Sequence, residues 1–141
     1  MKKFLTLLAC VALFAGCQVD DPDKPTPVQL DVTGVWELSS VTTKASVGSV
    51  SVSVYVDFAV DNSFTLYQKI GEGRYTKFEG TYALDKDAAT LSGSYASGSA
   101  WGPYSASRDG NSLTLTTAGG KEVDTYKKVD AIPASVTENI Y

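Results

Sequence analysis

The run Val50-Ser51-Val52-Ser53-Val54-Tyr55-Val56-Asp57-Phe58 alternates without a break. Val50, Val52, Val54, Val56 and Phe58 fall on one face, and Ser51, Ser53, Tyr55 and Asp57 on the other. A period of two is that of a half-buried β-strand, and β-branched residues fit its pleated surface. The same period extends in both directions from this run, and from Gly34 onward no window of ten residues holds a convincing amphipathic helix.

Upstream, Asp31-Val32-Thr33-Gly34-Val35-Trp36-Glu37-Leu38 opens a strand over 34–43, with Trp36 and Leu38 on one side. Downstream, further strands are expected over 63–70, 74–84, 89–95, 104–108, 112–117 and 122–129. Asp61-Asn62, Gly71-Glu72-Gly73, Asp85-Lys86-Asp87, Asp109-Gly110-Asn111 and Ala118-Gly119-Gly120 separate them as turns. Eight short strands joined by tight turns predict an all-β fold, an eight-stranded antiparallel up-and-down barrel that leaves no edge exposed. A β-sandwich carries the same alternation and remains the alternative. The connections over 44–49 and 96–103 are longer and rich in Gly, Ser and Ala, so an up-and-down order gathers the larger loops at one end. That asymmetry describes a cup.

The chain has 141 residues and 43% hydrophobic content, enough for one domain with a core. It has 12 basic and 16 acidic residues, a charge of -4 that becomes -6 if Lys2 and Lys3 are cleaved away. That balance argues against nucleic acid as a partner, which needs a basic footprint. There is no histidine, which removes the commonest general base and zinc ligand. The two cysteines, Cys10 and Cys17, both precede the first strand and cannot staple the domain.

Residues 1–16 carry Lys2 and Lys3, an apolar run from Phe4 to Phe14, and Ala15-Gly16. This is the pattern of a secretory signal, too short to span a bilayer stably. Phe14-Ala15-Gly16-Cys17 resembles the lipobox of bacterial lipoproteins, which implies lipidation of Cys17 and cleavage just before it. The expected location is the bacterial outer membrane, with the membrane as partner through that lipid. Residues 17–33 then form an acidic, proline-rich tether, 34–129 the barrel and 130–141 a C-terminal tail that forms a turn of helix or lies along the wall. Asp20, Asp21 and Asp23, just after the Cys, resemble the export tag of surface-displayed lipoproteins.

Gly34-Val35-Trp36 on the first of eight strands resembles the Gly-x-Trp signature of the lipocalin and calycin barrels, and specifically the lipocalin-like domains of bacterial envelope lipoproteins. Gly80-Thr81-Tyr82 and Asn111-Ser112-Leu113-Thr114-Leu115 have the same flavour. The resemblance implies that a basic residue packs over Trp36 at the closed end, and Lys127 or Lys128 is placed to do so. It also implies a small apolar ligand inside the barrel. Val54, Phe58, Phe64, Leu66, Tyr82 and Tyr95 are the candidate lining, and ordinary core is their other reading.

Tyr67 and Tyr75 flank one hairpin, and Trp101 and Tyr104 sit beside the 96–103 loop. In the cup these four rings form a rim suited to an apolar ligand or a glycan face, unless Trp101 instead caps the core. Enzyme chemistry finds no support, because the acids fall in turns (Asp61, Asp85, Asp87, Asp109) or on an outward face (Asp57). No cofactor or metal is expected, and a monomer is favoured. The remaining function class is an interaction module with a fully packed barrel, such as an accessory subunit of an envelope complex or a protease inhibitor. An internal volume reaching the mouth separates the two.

Overall fold

The structure is a computed structural model, and it describes residues 29–43 and 50–141. Cys17, the signal segment, most of the tether and the 44–49 connection lie outside the described residues. The strands are β1 (Gly34–Thr43), β2 (Val52–Phe58), β3 (Ser63–Ile70), β4 (Thr76–Asp85), β5 (Thr90–Tyr95), β6 (Ala100–Asp109), β7 (Ser112–Thr117) and β8 (Glu122–Val129). Each pairs antiparallel with the next, and β1 closes on β8 from Val35↔Val129 to Thr43↔Glu122. The fold is therefore a closed up-and-down barrel rather than a sandwich.

Alternation puts one residue in two inside. On β2, Val54, Val56 and Phe58 are buried, while Ser53, Tyr55 and Asp57 between them are half-exposed. Burying such a row removes about 2 kcal/mol of apolar exposure per large side chain, which fixes the register against a one-residue slip.

The strand expected over 104–108 begins earlier, at Ala100, so Trp101 stands on β6 and not in a loop. Leu91 pairs with Tyr104 and Gly93 with Trp101, so Ser92 alone faces both Gly102 and Pro103. This β-bulge resets the phase, and Trp101 and Tyr104, three residues apart, both point inward. Gly93 makes room for it: a Cβ there would come within 2.6 Å of the Trp101 ring.

After β8 the chain turns back along the outside of the barrel. A short helix, α1 (Ala134–Thr137), follows Pro133, and Ile140 forms a parallel bridge with Tyr75. Val136 is buried there with Tyr67 and Tyr75, and Tyr55, Ile132 and Ile140 pack around them. This is a second, smaller core on the outer face of the barrel.

Candidate functional site

At one end of the barrel the interior is plugged. Trp36 is fully buried, and its Nε1 donates to the Val32 carbonyl at 2.7 Å. Two cations lie over the ring, Arg108 Cζ and Lys128 Nζ, each 5.4 Å from the centroid. Lys128 Nζ also donates to the Thr33 carbonyl at 3.2 Å, and Arg108 Nη1 to the Asp31 carbonyl at 2.8 Å. Gly34 sits at φ 108°, which favours glycine, and a Cβ there would be 3.0 Å from the Lys128 side chain.

Of the two lysines expected over Trp36, Lys128 takes the place. Lys127 is the next residue on an alternating strand, so it points outward and pairs with Glu37 at 2.9 Å. That ion pair, with the Tyr55 hydroxyl donating to Glu37 at 2.8 Å, holds the Glu37 carboxyl below its ordinary range. Arg108 is the cation that the sequence reading missed. It shares the inward face of β6 with Ala106, two residues away.

Beyond the plug the barrel is hollow. An inner chamber of about 80 Å³ lies among Val56, Phe58, Phe64, Leu66 and Leu115 on its apolar side. Tyr95, Trp101, Tyr104, Tyr126 and Asp124 complete its wall. A wider chamber of about 330 Å³ lies toward the other end and shares Leu66, Tyr95, Tyr104, Asp124 and Tyr126 with the first. Val41, Val52 and Ile70 line that outer chamber and are exposed, so they form an apolar lip.

The aromatic rings of the inner chamber brace one another. Phe64 meets Trp101 edge-on at 5.4 Å and Tyr95 at 5.8 Å, and Trp101 lies 6.1 Å from Tyr104. Such pairs hold ring orientations without filling the space between them.

Two residues of this chamber's wall carry a buried polar side-chain atom with no hydrogen-bond partner among the described residues. The atoms are the donor Trp101 Nε1 and the acceptor Asp124 Oδ1. Desolvation, with Glu122 nearby, pushes the Asp124 carboxyl up to about 6. Burial likewise raises the Tyr104 and Tyr126 phenols, with Asp124 adding to both. A buried polar group is normally paired, and an unpaired one costs about 1–3 kcal/mol. Here one is a donor and the other an acceptor, and both belong to residues of one cavity wall.

The interior candidates fall into three groups. Phe58, Phe64, Leu66 and Tyr95 line the inner chamber, and Val54 lines the outer one. Tyr82 lines neither. Its hydroxyl donates to the Ala59 carbonyl at 2.8 Å and its ring meets Phe58 at 4.9 Å, so it belongs to the wall.

The four-ring rim is corrected. Trp101 and Tyr104 are inside, brought there by the bulge. Tyr67 and Tyr75 lie on the outer face beneath Val136 and Ile140, with the Tyr75 hydroxyl 3.0 Å from Ser53 Oγ. Tyr67 shares β3 with inward Phe64 and Leu66, so alternation turns it outward. The lip is aliphatic instead.

Asp124 and Glu122 were not singled out from the sequence. The signal was present, because Asp124 is two residues from the inward Tyr126 on an alternating strand. Among the described residues no cluster of metal-ligating side chains occurs.

No curated protein matches the sequence. A DUF4847 family protein from Bacteroides vulgatus ATCC 8482, known from its crystal structure, is similar at 16% identity and a TM-score of 0.47, covering 71% of this chain and 95% of its own. The family described as lipocalin-like domain matches residues 32–115. That match starts at the Val32 carbonyl partner of Trp36, runs through six strands into the seventh and spans more than half of the chain, so the chain belongs to the lipocalin-like domain family.

Proposed function

We propose that this chain is a non-catalytic, lipid-anchored protein of the bacterial outer membrane whose barrel takes up one small, largely apolar molecule. The observation that carries the reading is the aromatic-walled inner chamber, continuous in its lining with an outer chamber, where Trp101 Nε1 and Asp124 Oδ1 are left unpaired. Apolar pockets with a few convergent polar groups are the usual form of small-molecule sites. A closed plug at Trp36 and an apolar lip at Val41, Val52 and Ile70 leave the described part of the cup open at the lip end. Lipocalin-like proteins are generally non-catalytic binding proteins, which supports the same reading. A fully packed interaction module has no use for a chamber that reaches the mouth.

The anchor rests on Phe14-Ala15-Gly16-Cys17 and the basic, apolar segment before it. Acylation at Cys17 leaves the tether to hold the cup off the membrane surface.

Titration with N-phenyl-1-naphthylamine, a neutral apolar dye that brightens out of water, tests the binding reading. Saturable enhancement with one site per chain is the expected result. Enhancement that never saturates, or none, contradicts it.

A further inference from the structure

The charges around the two chambers are one-sided. Asp124 borders both chambers and Glu122 borders the outer one, while among the described residues neither is lined by Lys or Arg. Among the described residues, the inward cations Arg108 and Lys128 are committed to Trp36 at the plug. Lys127 and Lys77 face outward and are held by Glu37 and Glu79. A carboxylate drawn out of water and left without a cation is costly, and a fixed negative group in a low-dielectric cup attracts positive ligands.

The rings around that carboxylate have the matching chemistry. Tyr95, Trp101, Tyr104 and Tyr126 share the inner chamber with Asp124. Aromatic faces attract a cation within about 6 Å, by about 0.5–2 kcal/mol, and more when water is excluded. A fatty acid or other anion meets the opposite situation, two like charges and, among the described lining residues, no cation to pair with.

We infer that the barrel selects a small organic ammonium carrying an apolar or aromatic body, its N–H donating to Asp124 and its charge resting among the surrounding rings. The inference rests on the reading of the barrel interior as a binding site and names the ligand class of that site. With about 80 Å³, the inner chamber takes a single small ring or short chain, and the outer chamber takes the remainder.

Binding of such a cation is coupled to pH. The titratable groups facing Asp124 are Glu122 and Tyr126 on β8, Tyr104 on β6 and Tyr95 on β5. Its register neighbours on β1 and β7, Val41 and Leu115, carry none. Protonation of Asp124 therefore removes the main attraction.

The test compares three molecules of one shape as competitors of N-phenyl-1-naphthylamine on the full chain at pH 7.5. They are 2-phenylethylammonium, the neutral 2-phenylethanol and the anionic 3-phenylpropanoate. The ammonium is expected to bind about tenfold tighter than the alcohol, equivalent to about 1.4 kcal/mol, with the acid weakest. Lowering the pH to 5 should remove most of that advantage without weakening the alcohol. Asp124→Asn should bring the ammonium to the alcohol's level, with near-ultraviolet circular dichroism reporting the fold. If that variant fails to fold, the pH comparison decides alone.

Equal affinity of ammonium and alcohol, or a preference that survives both Asp124→Asn and pH 5, overturns the inference. Dye binding without charge preference overturns the cation while leaving the binding cup intact. Absence of any saturable binding removes both.

Discussion

Trp101 and Asp124 come from different strands, β6 and β8, yet line one chamber, and neither Trp101 Nε1 nor Asp124 Oδ1 is paired among the described residues. One is a donor and the other an acceptor. Neither residue would be left so in a barrel selected only for packing, because a leucine or phenylalanine at either position fills space without the desolvation cost.

That cost has a pH signature. The folded Asp124 carboxyl is raised to about 6 from 3.8, so the unfolded chain releases this proton first as pH rises. Stability from this group is therefore highest below pH 4, falls between about 4 and 6, and stays low above. Asp124→Asn should be more stable than the parent at pH 7.5 by about 1 kcal/mol once partial exposure is discounted, and the gain should vanish near pH 4. Urea melts of both proteins at the two pH values measure it. An equal gain at both would show that charge burial is not its source.

Trp36 is the plug, and removing its ring leaves a large cavity under Arg108 and Lys128. Trp36→Ala should cost about 3–5 kcal/mol, as large core truncations do. Lys128→Met, which keeps the stem over the ring, should cost far less. Denaturant midpoints check both, and a Trp36→Ala protein that melts like the parent overturns the plug.

The outer core under α1 should be separable from the cup. Val136→Ala removes buried contact with Tyr67 and Tyr75 and should cost about 2 kcal/mol, at about 0.8 kcal/mol per buried carbon plus the space left. Dye affinity should not change. A matching loss of dye binding would mean that the tail shapes the interior.

Cys17→Ser should move the protein from the membrane fraction to the soluble fraction, read by fractionation and immunoblot. Continued membrane association would contradict anchoring through that residue.

Most of the barrel was legible because alternation is a local property. The run from Val50 to Phe58 sets strand and face at once, and the bounds of β1, β3, β7 and β8 follow from their flanking turns. The interior was harder to read. Gly102-Pro103 looks like a loop in sequence, and only its pairing opposite Ser92 shows a bulge that turns Trp101 inward. Tyr67 and Tyr75 looked like rim residues because nothing local announces that Val136 and Ile140 return from the chain's end to cover them. Asp124 was overlooked for a different reason. Acids on strands default to solvent, and only the phase carried back from Tyr126 places this one inside.

The central claim, that a small molecule enters the barrel, is tested most directly by filling the inner chamber from within. Val56 is buried and lines it, so Val56→Phe places a ring in the volume a ligand would use. Val60, 88% exposed in the turn at the plugged end, provides the control Val60→Phe. N-phenyl-1-naphthylamine affinity should fall by about tenfold or more in Val56→Phe and stay at the parent's level in Val60→Phe, a difference of at least about 1.4 kcal/mol. Unchanged affinity in a folded Val56→Phe protein would place the dye on the outer surface and contradict the account.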